Sequence, residues 1–319
     1  MEGAAGSKTF SHHSIVEVKS SSEILGTLDH DGKLEGLPFM PEMLSYCGTQ
    51  IRVAHRAERT CVVGHGFRSM RSAVFLQEAR CDGSHHDGCQ RGCLLFWKEA
   101  WLRPAGSSPA PKANALPDAE ATRRLTELAT RRADRYICQS TELASATAPI
   151  RRWDLRPWMR EVFRGELTAH NFLALIGRTL LSRVFGKAQD NSLTGTGKKN
   201  GRGDLGLAAG EWVRVKSAEE ICTTLDAKSS NRGLSFQPTM KPAVGGRYQV
   251  AFPVRRIIIE TTGKMVQLEN TVALKGVTCQ GACVAHCQRS EYLYWRESWL
   301  CRESDKAPVS SLPEDATSD

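Results

Sequence analysis

The chain has 319 residues, 40% of them hydrophobic, which is enough for two domains with real cores. Its formal net charge is +8, from 43 Lys and Arg against 35 Asp and Glu, a basic bias compatible with an acidic partner. No apolar run reaches the about 18 residues of a membrane span, so no membrane segment is expected.

The opening stretch, MEGAAGSKTFSHHS, has no apolar signal core, and residues 1–13 read as a disordered lead. A cytoplasmic setting follows as the expectation. The eleven cysteines are then expected to be reduced, ligating or catalytic instead of disulfide-bonded.

From residue 14 a pattern begins that recurs near the other end of the chain. Val16 to Asp29 (VEVKSSSEILGTLD) matches Val213 to Asp226 (VRVKSAEEICTTLD). The register continues through Gly36/Gly233, Phe39/Phe236, Pro41/Pro238 and Gly48/Gly245. After a one-residue slip it resumes at Cys81/Cys279, Cys89/Cys287, Arg91/Arg289, Trp97/Trp295 and Trp101/Trp299. Such order implies two copies of one domain, residues 14–104 and 211–303. Short apolar runs between turn residues predict strands at Ile51–Ala54, Cys61–Val63 and Ala73–Leu76, and at Tyr248–Phe252, Arg256–Glu260 and Thr271–Leu274 in the second copy. Thr262, Gly263 and Lys264 read as a hairpin turn. The expected fold is mainly β with a helical insert, an α+β chain of two small SH3-like barrels, each with a cysteine-rich loop. The paired tryptophans that close each copy read as core anchors.

Between the copies, residues 105–117 form a Pro/Ala/Ser linker. Residues 118–186 turn helical. Asp118 reads as an N-cap, with Leu125, Leu128, Ala129 and Arg132 at helical spacing and the helix continuing to Cys138. A second helical piece covers Thr141 to Ala146. Thr168 caps a third, with Phe172, Leu173, Leu175, Ile176, Leu180 and Val184 on its apolar face. Residues 187–210 read as a flexible linker and 304–319 as a disordered acidic tail.

Chemistry concentrates in the cysteines. Cys81-x7-Cys89-x3-Cys93 supplies three thiols in one loop, and Cys61, on the strand before, is the first choice for a fourth ligand. Cys47, His85 and Cys138 are the alternatives. Four such donors suit tetrahedral zinc or an iron–sulfur cluster, although the C-x2-C knuckle of standard fingers is missing. Cys279, Cys283 and Cys287 make a possible second site, in which Cys283 stands at the place of His85 and Glu291 at that of Cys93. His85, His86 and Asp87 invite a general-base reading, but a Gly/Ser/Asp loop more simply leaves its histidines solvated. The Arg-rich stretch from Arg123 to Arg164, with Trp153 and Trp158, has the residue types of nucleic-acid contact; interleaved acids favour a solvated face instead.

The blocks GLPFMPEM (Gly36 to Met43), YCG (Tyr46 to Gly48), GCQRGCLLFWKEAWL (Gly88 to Leu102) and YICQSTELASAT (Tyr136 to Thr147) resemble a group of uncharacterised bacterial proteins, some of natural-product gene neighbourhoods. The resemblance implies the layout of two repeats around a helical insert and brings no activity with it. The function expected is that of a metal-binding tandem-repeat protein, a binding or accessory protein with a small-molecule or protein partner. The alternatives are a metal-dependent redox or tailoring enzyme in a biosynthetic pathway and a nucleic-acid-binding protein.

Overall fold

Along the strand Ile15–Val18, Val16 and Val18 are fully buried while Ile15 faces out, the period-two pattern of a half-covered sheet. This strand belongs to a five-stranded antiparallel sheet. Its order is Leu94–Lys98, Ala73–Arg80, Gln50–Arg56, Ile15–Val18 and Leu102–Pro104. A second five-stranded sheet has the order Tyr292–Arg296, Thr271–Thr278, Arg247–Pro253, Trp212–Val215 and Leu300–Arg302. The registers correspond: Val16 faces Ile51 and Val213 faces Tyr248, while Val18 faces Leu102 and Val215 faces Leu300. Each sheet curls as a half-barrel, with register shifts at Val53/His55 and Val250/Phe252 that bend the long strand. The chain is thus mainly β. This computed structural model describes residues 10–57, 59–107, 116–150, 156–163, 170, 173, 193–195, 203–279 and 288–303.

In each sheet the first strand is followed by a short capped helix. Ser20 and Glu23 form a reciprocal capping box at the helix Ser21–Leu25, as Ser217 and Glu220 do at Ala218–Cys222. The tryptophans are core anchors. Trp97, Trp101, Trp295 and Trp299 are fully buried, and Phe39 meets Trp101 edge-on at 5.4 Å, as Phe236 meets Trp299 at 5.5 Å. The first of each pair ends a strand, and the second sits in the single 3-10 turn that follows. Trp101 Nε1 donates to Thr27 Oγ1 at 3.0 Å, and Trp299 Nε1 to Thr224 Oγ1 at 3.0 Å. Thr27→Val keeps the volume but orphans the indole N–H. It should cost about 1–3 kcal/mol, read as a lowered urea midpoint at unchanged slope.

Two compact units divide the chain. The first comprises Met1–Asn191, Val254–Glu269 and Thr278–Tyr292; the second comprises Ser192–Pro253, Asn270–Val277 and Leu293–Asp319. The hairpin Arg256–Ile258/Met265–Gln267 therefore belongs to the first unit, although it lies late in the sequence.

From Asp118 to Ile150 the chain is less helical than its spacing predicts, while Arg156–Phe163 is a helix. The helix runs only from Asp118 to Thr126, with Pro117 at the N-cap, and Asp118 Oδ1 instead accepts from Ser22 N at 2.8 Å. Arg131–Arg132 and Arg135–Tyr136 then pair as a two-residue hairpin, turned by Ala133 in the left-handed region at φ +53°. A helix cannot pass such a residue. Leu143–Ala146 is one helical turn. The helix expected from Thr168 lies outside the described residues apart from His170 and Leu173. Among the described residues, no helix is long and apolar enough to cross a membrane.

Candidate metal centre

The strands Ala73–Arg80 and Leu94–Lys98 pair up to Arg80 and Leu94, and Cys81 N donates to Cys93 O at 2.9 Å just beyond. This tie closes the loop from residue 82 to 92. The loop then winds inward on itself. His86 N and Gly88 N both donate to Gly83 O (2.9 and 3.0 Å), and Cys89 N donates to His86 O at 3.1 Å. Gly83 holds φ +75°, and a Cβ there would lie 2.1 Å from Cys89 O, so only glycine allows the close approach. Asp82 Oδ1 accepts from Ser84 N at 2.9 Å and holds the turn; those hydrogen bonds keep the carboxyl below its ordinary range.

Winding the loop this way buries His86 and leaves His85 half exposed. His86 Nδ1 lies 3.6 Å from Glu42 Oε1 and 4.0 Å from Cys81 Sγ, and Cys81 Sγ donates to Glu42 Oε1 at 3.0 Å. These three donors are mutually within 4.8 Å, and among the described residues no other set of three His, Cys, Asp or Glu donors is that close. Glu42 comes from the 3-10 turn Pro41–Tyr46, where Pro41 fixes the first residue. Glu42 Oε2 and His86 Nε2 are buried with no hydrogen-bond partner. Such orphaned polar atoms are costly unless an ion or water meets them. The three side chains are chemically able to hold a metal ion.

The triad opens on a cavity of about 30 Å³, lined also by Cys89, Cys93, Cys138, Gln139, Ser140 and Ile258. Cys138 arrives through Gln139, whose side chain acts as a neighbouring strand for the sheet edge. Gln139 Oε1 accepts from Phe96 N at 2.8 Å, and Nε2 donates to Phe96 O at 2.9 Å and Pro38 O at 3.1 Å. Burial drives the thiols toward the protonated form. It pushes Cys81 far above its ordinary range with Glu42 adding to the effect, raises Cys138, and pushes Cys93 up to about 12. Burial likewise lowers the His86 pKa, against the pull of Glu42.

Behind the cavity stands a buried ionic brace. Glu260 accepts from Arg289 at 2.8 Å, from Arg91 at 3.0 Å and from Val63 N at 3.0 Å. Glu291 pairs with both arginines. Arg289 also donates to Cys61 O at 2.6 Å and to Ser140 Oγ at 3.4 Å. Burial opposes the Arg289 charge, but Glu291 and Glu260 hold it firmly protonated.

The structure thus brings Cys81, Cys89, Cys93 and Cys138 around one cavity. Cys61 is not among the lining residues: its strand, Arg59–Val62, belongs to a separate three-stranded sheet, and its carbonyl faces Arg289. Cys47 packs against the core of the first sheet. Cys279 N donates to Glu291 O at 2.7 Å, as Cys81 N does to Cys93 O, while Cys283 and Cys287 lie outside the described residues. Among the described residues, Cys47, Cys81, Cys89, Cys93, Cys138, Cys222 and Cys301 are free thiols. Glu42 and His86 were not among the expected ligands. The available signal was a lone carboxylate within an otherwise apolar block, Leu37 to Met43. Among the arginines of the middle segment, Arg123 and Arg124 pair with Glu120 (2.9 Å each), Arg135 with Glu142 (3.1 Å) and Arg132 with Asp31 (3.5 Å), which damps their field. Arg151, Arg152, Trp153 and Arg164 lie outside the described residues. No family model, curated protein or solved structure matches the chain.

Proposed function

We propose that the protein binds a zinc-type metal ion through Glu42, Cys81 and His86, and that it serves as a binding or accessory protein built from two SH3-like repeats. The carrying observation is the set of three donors, Glu42 Oε1, Cys81 Sγ and His86 Nδ1, mutually within 4.8 Å, with Glu42 Oε2 buried and unpartnered on the same carboxylate. Tetrahedral zinc places its ligand atoms about 3.3–3.8 Å from one another. The separations of 3.0, 3.6 and 4.0 Å straddle that range. A mixed sulfur, nitrogen and oxygen set suits a single ion better than an iron–sulfur cluster, which is held mainly by thiolates. A cavity of about 30 Å³ has room for an ion and not for an organic substrate, which favours the binding role over the enzymatic one. The metal would also fix a long loop that a small β domain holds poorly by itself.

Metal analysis of the full chain, purified without oxygen, tests the reading. At least about one equivalent is expected, and less than about half an equivalent overturns it. Changes behind a ligand cost about 10–100-fold in affinity, so Cys81→Ser and His86→Ala should each exceed about 100-fold. Binding should also be proton-linked. Cys81 is protonated at neutral pH without metal, because burial raises its pKa. Loading the ion therefore expels a proton, and affinity should climb as pH rises from about 6 to 8. Calorimetry in buffers of different ionisation enthalpy measures that release; a heat independent of buffer would contradict it.

A further inference from the structure

We propose that Cys89, Cys93 and Cys138 form a second, all-sulfur metal position beside Glu42, Cys81 and His86, so that the one cavity takes two ions. This rests on the metal reading above and extends it to a soft, thiophilic cation.

Two of the three sulfurs face hydrogen-bond donors, as metal-bound thiolates do. Ile258 N donates to Cys89 Sγ at 3.4 Å, and a backbone N–H can only donate. Cys93 Sγ lies 3.2 Å from Ser140 Oγ. Arginine has no acceptor, so Ser140 Oγ must accept from Arg289, which leaves its own hydroxyl proton for Cys93. Cys138 is set beside the cavity by its own backbone, whose amide donates to Thr141 Oγ1 at 3.0 Å.

Space and donor number agree. One water-sized occupant needs about 10–15 Å³. The cavity of about 30 Å³ therefore admits two monatomic ions, and its six donors exceed what one tetrahedral ion uses. Cys89, Cys93 and Cys138 do not meet within the 4.8 Å that unites the first set. An ion would draw them inward by rotation about their Cα–Cβ bonds. Glu291 stands at the place of Cys93 in the second copy with the same backbone tie, so a thiol at 93 is not required to close the loop.

The test is an anaerobic titration of the metal-free full chain with Co(II) alone, followed by the sulfur-to-cobalt charge-transfer band. Two ions per chain are expected, falling to one in the Cys93→Ser/Cys138→Ser double variant and to one in Glu42→Gln/His86→Ala. A single ion in the unaltered chain overturns the second position and leaves the first standing; none overturns both. Two ions retained by the double cysteine variant also overturn it, as does protein isolated with iron and inorganic sulfide in equal amounts. Should a variant fail to fold by circular dichroism, the count in the unaltered chain decides alone.

Discussion

Glu260→Ala should destabilise the chain by about 3–5 kcal/mol, the cost of removing one partner from a buried charge pair. The Glu260 side chain is only 4% exposed, and it joins three donors, two of them charged. Arg289 reaches both its oxygens, at 3.3 and 2.8 Å; Arg91 and the Val63 amide take the rest. Without it, Glu291 is the carboxylate left to both guanidiniums, in a site that largely keeps them from water. Water would have to enter, or the loop carrying Arg91 would have to open. Urea denaturation measures the loss. Glu260→Gln, which keeps the shape and removes the charge, should lose less. A loss under about 1 kcal/mol for the alanine variant would mean that the brace is solvated and contributes as little as a surface pair. Because Arg289 orders Ser140, metal affinity should fall along with stability.

Gly83→Ala should abolish metal binding while leaving the sheets intact. The new Cβ would lie 2.1 Å from Cys89 O and 2.8 Å from Cys89 N, and both are backbone atoms that cannot rotate away. The residue must also hold φ +75°, which costs an L-residue about 1–2 kcal/mol before any clash. The loop would unwind and carry His86 and Cys89 from the cavity. Gly88→Ala is the matched control. It too has positive φ, at +71°, but nothing lies within 4 Å of its Cβ, so it should cost about 1–2 kcal/mol and keep its metal. Metal content after gel filtration, with far-ultraviolet circular dichroism to report the sheets, separates the two. Equal metal content in both variants would show that the inward winding does not set the site.

The β character and the burial of the tryptophans were legible because large aromatics and alternating apolar runs mean much the same wherever they occur. Trp97 and Trp101 show this: strand or helix, both ends of the spacing had to be inside. The loop cysteines were legible as a cluster because one short loop cannot keep Cys81, Cys89 and Cys93 far apart. The choice between Cys61 and Cys138 was not. It depends on Gln139 docking on the Phe96 backbone, a long-range hydrogen bond with no local pattern. Nor could the sequence choose between His85 and His86. One residue of winding at Gly83 decides which ring turns inward. Glu42 was passed over for a similar reason. A carboxylate in a Pro-led turn reads as exposed until a partner is found, and its partners are some forty residues on.

The hairpin Val254–Glu269 has a further consequence. It supplies Ile258 to the cavity wall, and its Arg255 and Arg256 amides bind Gln90 Oε1 at 2.7 and 3.2 Å. The polypeptide therefore leaves its first unit, returns to it twice and leaves again. During synthesis, the cysteine loop emerges long before the segment that covers it. Cys89 must wait without its Ile258 amide, its thiol open to oxidants and to stray metal, until a further 169 residues have been made. Assembly of the cavity is thus a late event, and a chain cut short before Val254 would leave its wall permanently unfinished.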